Sequence, residues 1–199
     1  WFDPGIVLEG GAIDVNGSGS CLTTTSCLLN SNRNGGLSKK EIEKYLKSYL
    51  GVKNIIWLTS SLQGDDTDGH IDNLARFINP STIVYISESD NNDANYKNLK
   101  PIFNQLKEAF TEDGKPFKLI PLPMPKAIMH NNFRLPASYA NFFIGNRTIL
   151  VPAFNDPNDE VAENILKACF PNRKTVRIDS RILIRGQGSL HCITQQQPA

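Results

Sequence analysis

The chain has 199 residues, 40% of them hydrophobic and 21% charged, and 21 Lys and Arg stand against 20 Asp and Glu for a net charge of +1. This length suits one ordinary domain with a real core, which excludes a disordered tail. The balanced charge argues against a nucleic-acid binder, and no apolar run approaches the roughly 18 residues of a membrane span.

The chain opens on Trp1-Phe2-Asp3 with no initiator Met and no secretory signal, so it reads as a fragment or a processed form. Its four cysteines, Cys21, Cys27, Cys169 and Cys192, form no C-x-x-C pair. Neither a zinc framework nor a disulfide scaffold is expected, and a reducing, cytoplasmic location is.

Taken in order, the first helix is announced at Ser38, whose side chain can cap the amide of Glu41 while Glu41 reaches back. Ile42, Tyr45, Leu46, Tyr49 and Leu50 follow at helical spacing, Gly51 stops the helix, and Ile55–Leu58 reads as a strand. A strand over Thr82–Ser87 precedes a second helix between Ala94 and Phe110, with Leu99, Phe103, Leu106 and Phe110 on one face. Pro101 belongs in a first turn, so that helix is expected to start at Asn98 or later. Phe117–Leu122 is the strand after it.

Tyr139–Ile144 and Thr148–Val151 read as a hairpin across Gly145-Asn146. A third helix starts near Pro157-Asn158-Asp159 with Val161, Ile165, Leu166 and Cys169 on its apolar face, and Thr175–Ile178 follows as a strand. The helices thus begin near 38, 95 and 158, a spacing of about sixty residues that points to a repeated unit of two strands, a helix and a strand. The expected class is α/β with mixed sheets and no linker.

Chemistry concentrates in Gly64-Asp65-Asp66-Thr67-Asp68-Gly69-His70-Ile71-Asp72-Asn73. An EF-hand alignment puts Gly64 and Ala75 at the two essential carboxylate positions, which rejects calcium; a plain acidic surface loop is the competing reading. On an extended segment, His70 and Asp72 would project to the same face, setting a proton carrier beside an anion suited to a cationic substrate. Cys192 follows the turn Gly186-Gln187-Gly188 among polar neighbours and is a nucleophile candidate, although a lone Cys is more often a small core residue. Glu9, at a strand end before Gly10-Gly11, can face a pocket. His130 and His191 read as surface or hydrogen-bonding residues, and Cys21, Cys27 and Cys169 as core.

Several segments then resemble the agmatine deiminases, of the peptidyl-arginine-deiminase-like branch of the guanidine-modifying superfamily. They are Leu8-Glu9-Gly10-Gly11, Cys27 to Asn34, Gly64 to Phe77, Pro121 to Pro125, Pro136 to Phe142, Phe154 to Asp159 and His191 to Pro198, in family order from end to end. The resemblance implies a five-bladed αβ-propeller (pentein) of ββαβ units, about three of them present here, with the N-terminal blades absent.

It also implies hydrolysis of agmatine to N-carbamoylputrescine and ammonia, a step toward putrescine. Cys192 would be the nucleophile and His70 the general acid/base. Asp72 and Glu9 would grip the guanidinium, and Asp68 would contact the amine end or shape the loop. No metal or organic cofactor enters that scheme, the partner is a small molecule rather than nucleic acid or membrane, and homo-oligomerisation is left open.

Alternatives are a deiminase of free or peptidyl arginine and a truncated, non-catalytic binding module. The sequence departs from the family at Asp14, where His is usual, at Thr25, where an acid is usual, and at Gln187, which interrupts a glycine run. A further guanidinium-binding Asp of the family's N-terminal part has no counterpart, so the isolated chain is expected to be weakly active or inactive.

Overall fold

Each long helix sits between two parallel strands, as the repeat predicts. The computed structural model describes residues 3–197, so Trp1, Phe2, Pro198 and Ala199 lie outside the description. β1 (Ile13–Val15) pairs antiparallel with β2 (Ser20–Thr24). Two short helices, α1 (Thr25–Leu28) and α2 (Ser31–Asn34), lead to α3 (Lys39–Leu50), and β3 (Asn54–Leu58) returns parallel to β2.

The second unit repeats the order: β4 (Ala75–Asn79) antiparallel to β5 (Thr82–Ser87), then α4 (Tyr96–Lys107), then β6 (Lys118–Pro123) parallel to β5. A small hairpin, β7 (Met129–His130) with β8 (Phe133–Arg134), leads to the third unit. There β9 (Phe143–Ile144) is antiparallel to β10 (Thr148–Ala153), α5 (Asn158–Cys169) crosses over, and β11 (Lys174–Asp179) lies parallel to β10. The result is three separate three-stranded sheets, each an α/β unit.

The capping box forms as expected: Ser38 accepts from the Glu41 amide and Glu41 accepts from the Ser38 amide, while Gly51 closes the helix at φ 67° in the left-handed region. Ile42 and Leu46 are fully buried, whereas Tyr49 and Leu50 are exposed. In α4 the buried face is Leu99, Ile102 and Leu106; Phe103 and Phe110, expected inside, are exposed. The helix also starts at Tyr96, so Pro101 lies past the first turn, contrary to expectation. The carbonyl that loses its partner there belongs to Lys97, an exposed residue that water can serve. In α5, Ala162 and Leu166 are buried and Val161 is exposed.

The strand expected to end at Glu9 does not form, and another is cut short. Ile6–Leu8 is irregular, its backbone bonded instead to the Asn34 side chain through the Val7 amide and carbonyl. Of Tyr139–Ile144 only the last two residues join a sheet. Ser138 to Phe142 are wholly buried and spend their polar groups on long-range side-chain bonds rather than on a ladder.

Candidate active site

The segment entering the first strand of each unit contributes to one region. Glu9 and a 3-10 turn (Gly10–Ala12) precede β1, His70 and a 3-10 turn (Ile71–Asn73) precede β4, and Asn141 precedes β9. The acidic segment is therefore a turn, not an extended strand, and the period-two reasoning for His70 and Asp72 does not hold. The two are neighbours for another reason: both pack over Gly11. A Cβ built there would lie 2.6 Å from His70 Nδ1 and 2.9 Å from Asp72 Oδ2, so only glycine leaves room for both side chains.

Asp72 is fully buried. Its Oδ2 accepts from His191 Nδ1 at 2.8 Å and lies 3.4 Å from Cys192 Sγ, while Oδ1 has no partner. His191 is thus a buried hydrogen-bonding residue, not a surface one. A buried carboxylate oxygen left without a donor is costly, and Asp72 lines an open cleft of about 330 Å³ together with Glu9, Asp66, His70, His191 and Cys192. A cationic N–H donor entering that cleft supplies the missing bond.

Cys192 is exposed as a residue, but its sulfur is flanked by Asp72, Asn141 and Gly188. Asn141 Nδ2 donates to Sγ at 3.1 Å, and Asn141 Oδ1 accepts from the His191 amide at 3.0 Å. A Cβ on Gly188 would fall 2.7 Å from the Cys192 Cβ, so the glycine-rich turn makes room for the cysteine itself. Gln187, in place of a family glycine, adopts φ 67° in the left-handed region. Desolvation and then the Asp72 charge push the Cys192 thiol up to about 11, against the opposing hydrogen bonds of Ser189 and Asn141. The free thiol is therefore protonated at neutral pH.

Glu9 lies 3.4 Å from His70 Nε2, but its carboxylate is engaged by Arg33, which donates from Nε at 2.9 and 2.7 Å and pairs through Nη2 at 2.7 Å. Burial raises the Glu9 carboxyl, and the hydrogen bonds and charges of Arg33 and His70 outweigh it, leaving a net lowering. Arg33 also reaches Asp68 at 2.7 Å, and Asn32 donates to the same oxygen at 2.9 Å.

Asp68 is absent from the cleft lining, so of the five expected site residues the structure brings four, Cys192, His70, Asp72 and Glu9, to one cleft and leaves Asp68 beside it. Sequence reasoning missed Asn141, His191 and Arg33. Asp14 bonds Arg76 at 2.7 Å and the Phe77 amide at 2.6 Å, a structural anchor near the cleft.

A family model, Porphyromonas-type peptidyl-arginine deiminase, matches residues 1–198. Among curated relatives, a "Putative agmatine deiminase" of Legionella pneumophila (strain Paris) is 43% identical over 199 residues, which is 100% of this chain and 58% of the relative. A solved structure described as the putative arginine deiminase from Porphyromonas gingivalis superposes with TM-score 0.95 at 47% identity, covering 98% of this chain and 58% of that one. An agmatine deiminase of C. jejuni with substrate bound superposes with TM-score 0.88 at 44% identity, covering 94% and 55%. The chain therefore spans just over half the length of the proteins it matches. Among the described residues, no helix is long and apolar enough to cross a membrane.

Proposed function

The chain belongs to the Porphyromonas-type peptidyl-arginine deiminase family, and on that premise we propose that it carries the catalytic cysteine half of an agmatine iminohydrolase. The observation that carries the reading is a thiol, a fully buried carboxylate with one free oxygen, and a histidine, all on one cleft. Relatives named agmatine deiminase over the whole of this chain support the substrate.

In this reading Asp72 Oδ1 accepts from the substrate guanidinium, fixing its plane with the carbon over Cys192 Sγ. The positive charge of the bound guanidinium offsets the Asp72 charge that holds the thiol protonated, so substrate binding and thiolate formation are coupled. The thiol proton passes to His70 as Sγ adds to the guanidinium carbon, His70 gives that proton to the departing nitrogen, and ammonia leaves a covalent thiouronium. Water, giving its proton to His70, then attacks that carbon. The C–S bond breaks, the thiol is restored and N-carbamoylputrescine departs.

Glu9, already committed to Arg33, is better placed to orient His70 than to grip substrate. The propeller of five blades, the cytoplasmic location and any self-association belong to the same reading. So does the use of agmatine rather than arginine or peptidyl arginine. The arginine alternatives draw support from solved structures 47% and 46% identical to this chain that are described as a putative arginine deiminase and a putative peptidyl-arginine deiminase.

The test is ureido-product formation from agmatine, arginine and a peptidyl arginine, in parallel, by the natural gene product that contains this chain. Product from agmatine alone supports the proposal. Product from either arginine substrate keeps the cysteine chemistry and overturns the substrate, and silence on all three overturns the enzymatic reading.

A further inference from the structure

We propose that Glu9, Cys27 and His70 form a site for a divalent transition-metal cation of the zinc class, which occupies His70 and blocks the cleft rather than serving the reaction. The blocking, though not the binding, rests on the function proposed above.

The three residues come from separate segments: Glu9 before the first 3-10 turn, Cys27 within α1 and His70 before the second turn. Their ligand atoms all lie within 4.8 Å of one another. His70 Nε2 is 3.4 Å from Glu9 Oε1, and Cys27 Sγ is 3.8 Å from Glu9 Oε2. In a tetrahedral zinc site, bonds of about 2.0–2.3 Å separate neighbouring ligands by roughly 3.3–3.7 Å, so each of the two spacings, one to each Glu9 oxygen, is near a ligand–ligand edge, and a small turn of the carboxylate brings one oxygen to both partners. A sulfur, an imidazole nitrogen and a carboxylate oxygen suit zinc and its neighbours, whereas calcium and magnesium require oxygen alone.

A second observation is independent of these spacings. His70 is 8% exposed and its Nε2 has no hydrogen-bond partner. A metal bound there replaces only the long contact to Glu9 Oε1 at 3.4 Å. Glu9 and His70 both line the open cleft, so a cation reaches them from solvent and can keep water as its fourth ligand.

Two features make this a site of conditional occupancy. Cys27 is fully buried with its sulfur against the Glu9 carboxylate, so the cation must take the place of the thiol proton. Arg33 covers Glu9 and has to yield. It stays satisfied when it does, because Asp68 Oδ2 at 2.7 Å and the Thr67 carbonyl at 3.1 Å still accept from it.

The experiment is titration of the chain with Zn²⁺ by calorimetry and with Co²⁺ by absorption, where a thiolate ligand gives a charge-transfer band. The wild type is expected to bind one cation with that band. Cys27→Ser is expected to lose the band and weaken Zn²⁺ binding by more than about tenfold, the lower bound typical even of second-sphere partners. Cys192→Ser is expected to keep both.

Glu9→Gln, at a half-exposed position, serves as the second variant if Cys27→Ser fails to fold, and is expected to weaken Zn²⁺ binding likewise. No binding by the wild type overturns the proposal. So does a band that survives Cys27→Ser and disappears in Cys192→Ser, which places the cation on the nucleophile. In the natural gene product, Zn²⁺ is expected to inhibit agmatine turnover, and Cys27→Ala to retain turnover and resist inhibition. A gene product silent on agmatine defeats the proposed function alone, since the cobalt band still reports the site.

Discussion

The Asp72 carboxylate stands 3.4 Å from the sulfur of Cys192. An anion at that range opposes thiolate formation, and with desolvation it sets the thiol near 11. Only about one molecule in ten thousand then carries a thiolate at pH 7. Alkylation of Cys192 by a neutral reagent such as iodoacetamide is therefore expected to speed up about tenfold per pH unit through the neutral range. In Asp72→Asn the repulsion is gone, so alkylation at pH 7 is expected to accelerate by about tenfold or more. Turnover of the natural gene product should fall by at least about 100-fold, because the guanidinium loses its anchor. A variant alkylated no faster than wild type would show that Asp72 does not set the thiol.

Asn141 makes a narrower prediction. It is fully buried, donates to Cys192 Sγ and to Asn73 Oδ1, and accepts from the His191 amide. Its loss in Asn141→Ala removes a donor to the sulfur and frees the turn that carries it, together worth about 1.4–4 kcal/mol. The expected result is a drop of roughly 10- to 1000-fold in kcat, with KM for agmatine changed much less, because Asp72 still binds the guanidinium. A loss confined to KM would assign Asn141 to substrate binding instead.

The repeat was legible because α3 carries its own start and stop signals and the apolar spacing places the other two long helices. Ser38 and Gly51 declare α3 locally, and their geometry is the one the residues imply. The faces of α4 and α5 were read less well: Phe103 and Val161 satisfy the helical period but sit at its edge, where a neighbouring unit rather than the sequence decides burial. The site showed the same division. Cys192, His70 and Asp72 stood out by residue type and were brought together, but for a tertiary reason, since Gly11 comes from another unit. Arg33 and Asn141 gave no signal, because their roles depend on partners at least 24 and 50 residues away.

Arg33 gives a prediction on stability. The Glu9 carboxyl, ordinarily at 4.5, is raised by burial and lowered more strongly by Arg33 and His70, so its folded value lies below its unfolded one. The Asp68 carboxyl is lowered as well, by hydrogen bonds from Asn32 and then Arg33. A depressed carboxyl contributes stability above its unfolded pKa, and that contribution is lost as the pH falls through the folded value. The chain is therefore expected to lose thermal stability on acidification below about pH 4.5. Arg33→Met is expected to be less stable at neutral pH and to show a shallower acid loss. Parallel Tm-against-pH curves for variant and wild type would contradict this.

The third unit offers a test of its core. Tyr139, fully buried, donates its hydroxyl to Asp159 Oδ1 at 2.7 Å, and the same carboxylate accepts from the amides of Phe154 and Asp156. Burial and the Asp159 hydrogen bond both push the Tyr139 hydroxyl up, so it remains a donor throughout the working range. Tyr139→Phe is expected to cost about 1.5–3 kcal/mol, the usual range for a hydrogen bond to a charged group. Urea unfolding measures it, with the rate of Cys192 alkylation in the folded state as the control that should not move.

Gly11 separates the geometry of the cleft from the stability of the fold. Its backbone is outside the left-handed region, so Ala imposes no conformational strain, and slightly stiffens the unfolded chain against it. The atoms nearest the added methyl belong to the site: His70 Nδ1 at 2.6 Å and the Asp72 carboxylate at 2.9 and 3.1 Å. One or both side chains must move by several tenths of an ångström, and a displacement of that size at reacting groups is costly in rate. Gly11→Ala is expected to lose at least about tenfold in kcat while unfolding within about 1 kcal/mol of the wild type. Crystals or exchange measurements should place the change at His70 and Asp72. Full turnover in this variant would mean that the contact of His70 and Asp72 across Gly11 is packing alone and that the acid/base group lies elsewhere in the cleft.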